Sequence, residues 1–368
     1  MKTSRLLFSL ALLVVSCGGE TTTTTTETTT TTTTEATTTT TVMRTTTTWA
    51  DGLARSAVNG LPVDDPDSVN RRVIAIKVDN HPNARPQSGI ENAELVFEIR
   101  VEGGLTRFLA VFHQSDSEFV GPVRSGRPSD AKLVVPFEAP FFISGAQSWV
   151  LQGIRNLGID VFVDPRPGMF RVSFRNAPHN LYADTTELRT LADNANIPDN
   201  APPTPLWDFG PLPENAEDAT TAIAEFSDGI TVTWVWNGET YDRWINDVES
   251  YTRTEGGEQS RIQTDVLVFL VGRYYIASPP AGTSGSSVPA TDSTGSGRLI
   301  IMASGKKVEG TWERENPSDP FTLKDADGNL LYVPPGRAWV SIVPDVGDIT
   351  VPCVIGPDQR GCEGPQVH

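Results

Sequence analysis

Four polar clusters in the first half of this 368-residue chain carry residue types able to bind charge or move a proton. "DNHPNARPQSG" (79–89) holds His81 and Arg85, and "EIRVEGGLTR" (98–107) holds Glu98, Arg100, Glu102 and Arg107. "GPVRSGRP" (121–128) adds Arg124, Ser125 and Arg127, while "RNAPHNLY" (175–182) adds Arg175, His179 and Asn180. Arginine rather than lysine, in loops rich in Pro and Gly, points to bidentate recognition of a carboxylate or phosphate. The same residues would also serve buried pairing with Glu98 and Glu102, and residue type alone leaves both readings open.

Glu98, Arg100 and Glu102 alternate along an expected strand, so all three should share one face while Phe97, Ile99 and Val101 share the other. Such a face is either solvated or ion-paired with Arg107, or it is the floor of a polar pocket. Gly103-Gly104 beside it would let a ligand or a second backbone approach closely. Ligand sites in α/β sheets gather where strand ends meet loops. The expected binding set is therefore Glu98, Arg100, Glu102, Arg107, Arg124, Arg127, His179 and Asn180, with Glu98, Arg107, Arg124, Arg127 and His179 converging.

Catalysis would use His81 or His179 as base and Ser125 as nucleophile, but no G-x-S-x-G elbow surrounds Ser125 and no H-E-x-x-H pair occurs. His179 beside a turn fits a structural hydrogen bond better, so the enzyme reading is the weaker one. "DADG" (325–328) lacks the ligand ladder of a calcium loop and reads as a hairpin turn. "GTSGSSVPATDSTGSG" (282–297) has no strand-turn-helix context for a phosphate loop and reads as a mobile connection. With four histidines in all, no metal site is expected, and no cofactor is called for. A net charge of −17 argues against a nucleic-acid partner, because phosphate binding needs a basic surface.

The elements that must position these groups change character along the chain. "VIAIKV" (73–78), "LVFEIRV" (95–101), "RFLAVF" (107–112), "PFFIS" (140–144) and "VFV" (161–163) read as strands, with helices at 129–135, 148–157 and 185–194, the last capped by Thr185 or Thr186. Residues 196–222 are proline-rich, without periodicity, and read as a connector. Beyond it come "GITVTWVW" (229–236), "TDVLVFLV" (264–271), "GRLIIMAS" (297–304), "KVEGTWERE" (307–315), "FTLK" (321–324), "NLLYV" (329–333) and "AWVSIV" (338–343), with hardly a helix between them. The expected class is α+β: an N-terminal mixed α/β domain over 70–195, then a mainly antiparallel β domain over 223–345.

The N-terminus supplies an address. Lys2 and Arg5 precede a ten-residue apolar run, "LLFSLALLVV", too short to span a bilayer, so residues 1–16 read as a secretory leader. The run ends at Val14-Val15-Ser16-Cys17, which resembles the lipobox of bacterial lipoproteins, and that resemblance implies acylation of Cys17. An incidental cysteine in an ordinary leader is the alternative. Residues 21–48 contain twenty-two threonines, cannot bury an apolar face, and read with the rest of 17–48 as a disordered tether. Such a coil spans about 30 Å on average and about 90 Å fully extended. It is either O-glycosylated or a plain spacer. In the tail (346–368), Cys353 and Cys362 flank eight residues and are expected to form a disulfide outside the cytosol, worth about 2–3 kcal/mol.

Taken in order, the polar clusters together with "YDRW" (241–244) and "GKKVEGTWERE…DADGNLLYVPPGRAWVSIVP" (305–344) resemble the YerB family of bacterial lipoproteins over most of 70–344. The resemblance implies a two-domain protein anchored by lipid at the extracytoplasmic face of the bacterial cell membrane, and it brings no established activity. The expected function is binding of a small anionic or polar wall-derived ligand through the N-terminal domain. A wall-acting hydrolase or transferase and a structural interaction module are the alternatives.

Overall fold

The computed structural model describes residues 51–199 and 203–352. The leader, the lipobox Cys17, the threonine tether, Cys353 and Cys362 lie outside the described residues.

The first half lays down β1 (Ile74–Asp79), β2 (Leu95–Arg100), β3 (Thr106–Phe112), α1 (Pro128–Val134), β4 (Phe141–Ile143), α2 (Ser148–Asn156), β5 (Val161–Val163), a hairpin of β6 (Met169–Arg171) and β7 (Leu181–Ala183), and α3 (Thr185–Asn194). The helices begin where local chemistry dictates. Pro128 opens α1 at a position that needs no N–H, and the Asp130 carboxylate accepts from the Arg127 backbone N–H at 2.7 Å. Helix α3 is capped by Asp184, whose Oδ1 accepts from Thr186 N at 2.8 Å, and not by either threonine. Thr185 is instead buried, with its hydroxyl donating to Asp116.

No helix follows α3 among the described residues. The strands are β8 (Glu217–Asp218), β9 (Thr221–Ser227), β10 (Ile230–Trp236), β11 (Tyr241–Ile245), β12 (Val248–Glu249), β13 (Tyr251–Arg253), β14 (Gln259–Arg261), β15 (Gln263–Thr264), β16 (Val266–Gly272), β17 (Tyr274–Ala277), β18 (Val288–Thr291), β19 (Gly295–Ala303), β20 (Lys306–Arg314), β21 (Thr322–Lys324), β22 (Ala338–Pro344) and β23 (Asp348–Thr350). Two readings of the sequence change here. The Gly/Ser stretch 282–297 contains β18, which pairs with β17, because Val288 and Ala290 have a small core of their own to enter. "NLLYV" is no strand, since past the Asp325–Gly328 turn it makes only isolated bridges, Leu330 to Lys324 and Val333 to Phe209.

Eleven strands form one mixed sheet in the order β21-β20-β19-β16-β22-β2-β3-β1-β4-β5, with β8 paired to β20. The two halves of the chain therefore share a sheet: β22 runs parallel to β16 on one side and to β2 on the other, with Glu98 opposite Ser341. The proline-rich segment joins this core through Trp207, which is 1% exposed. Six further strands form a second sheet, β12-β11-β10-β9-β23 with β15 on β11.

Strand β1 is buried on both faces, as its near-continuous apolar run demands. One face of the large sheet, through Ala75, Phe97, Leu109 and Val268, packs on Leu133 and Val134 of α1 and on Val150 and Ile154 of α2. The other face, through Ile76, Val96, Phe108 and Trp339, packs on Leu188 of α3 and on Ala222, Val232 and Trp234 of the second sheet. These two faces decide where every polar side chain of β1, β2 and β3 can go.

Candidate functional site

Alternation along β1 places Lys77 and Asp79 on the helix-covered face, and β3 sets Arg107 directly opposite Asp79. Lys77, fully buried, reaches Asp130 of α1, with Nζ 2.6 Å from Oδ1. Asp79 is the hub. Its Oδ2 lies 2.8 Å from His179 Nδ1 and 3.1 Å from Arg124 Nε, and its Oδ1 accepts from the His81 backbone N–H at 3.0 Å. The His81 and His179 rings stack at 4.6 Å between centroids. Arg124 is fixed by its own backbone N–H, which donates to Lys77 O at 2.8 Å.

Arg107 is 9% exposed, donates Nη1 to the Ser125 carbonyl at 2.9 Å, and has no carboxylate within ion-pair distance among the described residues. Burial, then the neighbouring Arg127, hold its guanidinium down at about 10. Burial pushes the Lys77 ammonium down as well, against the pull of Asp130. Arg127 forms a fork on Glu102, with Nε 2.8 Å from Oε2 and Nη2 2.7 Å from Oε1. Burial pushes the Glu102 carboxyl up, but Arg127 more than offsets it and the net shift is downward. Four cations (Lys77, Arg107, Arg124, Arg127) thus face three carboxylates (Asp79, Glu102, Asp130), leaving one positive charge before either histidine is counted.

Arg107, Arg124, Arg127 and His179 converge in this cluster, and Glu98 does not. Glu98 points from β2 to the opposite face of the sheet, with Val96 and Phe108. There it is fully buried and accepts from Arg243 Nη2 at 2.8 Å, Thr106 Oγ1 at 2.7 Å and Trp339 Nε1 at 3.1 Å. Arg100 lies over the Tyr274 ring, 4.6 Å from its centroid. Glu102 does not continue the alternation, because the strand ends at Arg100 and Gly103 and Gly104 turn the chain at φ of 67° and 70°. Asn180 accepts from Arg171 Nη1 at 2.9 Å and donates to Val172 O at 3.4 Å, on the β6–β7 hairpin.

The residues that sequence reasoning missed are Lys77, Asp79 and Asp130. Their signal was present: two polar residues at alternate positions near the end of an apolar strand, and an acid three residues after Arg127 at a helix start. Ser125 Oγ lies 3.4 Å from Ser144 Oγ and makes no hydrogen bond to His81 or His179, so the nucleophile of the enzyme reading is not paired with either candidate base. Among the described residues no group of three or more His, Cys, Asp or Glu side chains could hold a metal ion.

Residues 58–198 match the family described as "Protein of unknown function (DUF3048) N-terminal domain", and residues 222–340 match the corresponding C-terminal domain. The chain belongs to this family. It is 28% identical over 286 residues to "Putative lipoprotein YerB" of Bacillus subtilis, covering 75% of this chain and 82% of the relative. The crystal structure of YerB protein from Bacillus subtilis superposes with a TM-score of 0.68 at 25% identity, covering 80% of this chain and 99% of that one. The α+β architecture, mixed first and mainly antiparallel after, is that of the YerB structure.

Proposed function

We propose that this protein is a lipoprotein of the bacterial envelope, held by an acyl-cysteine at Cys17 on the extracytoplasmic face, whose N-terminal half binds a small wall-derived anion at Arg107, Arg124 and Arg127. The observation that carries the reading is Arg107: a guanidinium 9% exposed, with no carboxylate partner among the described residues, beside two further arginines. A buried cation without a direct carboxylate partner is costly, and an incoming carboxylate or phosphate would relieve that cost with charge-assisted hydrogen bonds. The lipobox-like Val14-Val15-Ser16-Cys17 and the relative's name support the anchor.

Calorimetric titration with wall fragments and phosphate-bearing polymers, run beside thermal melts of the wild type and Arg124→Lys, tests the site. Loss of the planar fork should weaken binding about tenfold while the melt moves little. A variant that loses stability, with neither protein binding any fragment, would make the cluster a structural ion-pair network.

A further inference from the structure

On the other face of the sheet, a cavity of about 370 Å³ opens between the loop after β1 and the segment from β11 to β13. That volume falls in the range of small-molecule sites, about 300–1,000 Å³. It shares no lining residue with the Arg107–Arg124–Arg127 cluster. Its walls include Arg85, Pro86, Arg243, Ile245, Val248 and Tyr251.

The floor is built rather than incidental. Arg243 is 1% exposed and clamped: Nη2 donates to Glu98 and Nη1 to Ser250 Oγ, each at 2.8 Å, and its guanidinium carbon sits 5.4 Å from the ring centroids of both Phe108 and Trp339. Its buried Nε has no hydrogen-bond partner. Such a donor, fixed and unsatisfied, is costly unless something accepts from it. Beside it, Arg85 is held by Asn80, with Nε on Oδ1 at 3.0 Å and Nη2 on the carbonyl at 2.8 Å, and it too lacks a carboxylate partner among the described residues. Burial, then the like charge of Arg243, bring the Arg85 guanidinium down to about 10.

Charge and surface together select the ligand class. Arg85 and Arg243 face one carboxylate, Glu98, which leaves one positive charge; at the rim Glu249 is already matched by Arg261 at 3.7 Å. A single surplus charge fits a monoanion. Pro86, Ile245 and Val248 make part of the wall apolar, and Val248 is 63% exposed there, so the anion should carry an apolar body.

We propose that this cavity is a second binding site, for an organic monocarboxylate whose carboxylate lies between Arg85 and Arg243 and whose apolar body rests on Pro86, Ile245 and Val248. The carboxylate could belong to a free acid or to the C-terminus of a peptide. The site stands independently of the Arg124 cluster.

Saturation-transfer NMR on the full chain in detergent separates these sources, using 4-methylpentanoate and N-acetyl-Ala-Leu, each against its own amide. The acids should bind and the amides should bind at least about tenfold more weakly, since a charge-assisted pair is lost. Tighter binding of 4-methylpentanoate assigns a free acid, and tighter binding of the dipeptide assigns a C-terminus. Arg85→Gln should weaken the acid about tenfold. Val248→Asp, at an exposed position that should not disturb folding, should weaken it through repulsion. The proposal is overturned if acid and amide bind alike, if a folded Arg85→Gln and Val248→Asp both titrate as wild type, or if neither acid binds through the millimolar range.

Discussion

Arg243 donates to Glu98 across 2.8 Å although 145 positions separate them, and both side chains are buried to within 1%. The pair ties β11 of the second sheet to β2 of the large one, so it is a bond between the two halves of the chain. Breaking a buried pair from one side leaves an uncompensated charge. Glu98→Ala should therefore lower stability by about 3–5 kcal/mol. Glu98→Met combined with Arg243→Met removes both charges and should be more stable than Glu98→Ala in urea unfolding. A double variant no better than the single one would mean that the hydrogen bonds to Thr106 and Trp339, rather than charge pairing, give Glu98 its weight.

Asp79 is 2% exposed and answers both Arg124 and His179. Asp79→Asn raises the surplus charge of the cluster from one to two while keeping the side chain's shape. We expect inorganic phosphate to bind more tightly to the variant, with a steeper salt dependence, and stability to fall by about 1–3 kcal/mol. Phosphate titrations at two ionic strengths, beside a thermal melt, check this. Unchanged phosphate affinity together with lost stability would count against anion binding there.

How far this site was legible follows from its residues. Arg107, Arg124, Arg127 and His179 group from sequence because each lies in a polar cluster near an expected strand end or helix start. Glu98 was grouped with them because period-2 alternation says which residues share a face but not which face a neighbouring strand presents. The antiparallel register of β2 on β3, which sets Ile99 opposite Arg107 and Glu98 opposite Phe108, fixes that. Glu102 was misplaced for a local reason: the Gly103-Gly104 turn ends the strand before the alternation reaches it. Asp184 in place of Thr185 as the α3 cap is a one-residue matter, decided by the pull of Asp116 and Ser117 on the Thr185 hydroxyl.

The anchor has its own test. If Cys17 is acylated, Cys17→Ser should leave the protein as an uncleaved precursor or release it from membranes, and mass spectrometry of the wild type should find the mature chain beginning at a lipidated Cys17. With Cys17 consumed, Cys353 and Cys362 have only each other as partners in the sequence. Thiol labelling of exported protein without reductant should then find neither free. Two reactive thiols would show the tail loop open, and a different wild-type N-terminus would remove the anchor.

His113 makes the fold sensitive to acid. Its side chain is fully buried, with Nδ1 2.9 Å from Ser56 Oγ, and its backbone N–H donates to Glu94 Oε2 at 2.9 Å. Burial, then the nearby Arg189, hold the imidazole down from its ordinary 6.5 to about 4. Above the ordinary value the ring is neutral in both folded and unfolded chains and pH has no effect through it. As pH falls from 6.5 toward 4 the unfolded chain takes up a proton that the folded chain refuses, so stability is lost across that window. The slope is about 1.4 kcal/mol per pH unit, up to about 3 kcal/mol in all. His113→Gln can keep a polar contact to Ser56 without titrating. Urea unfolding of both proteins at about pH 7 and about pH 4.5 should show the wild type losing more stability than the variant. Equal losses would mean that His113 titrates alike in the folded and unfolded chain, and that carboxylates such as Asp116, held low by Arg189 and Arg71 against the upward push of burial, carry the acid sensitivity instead.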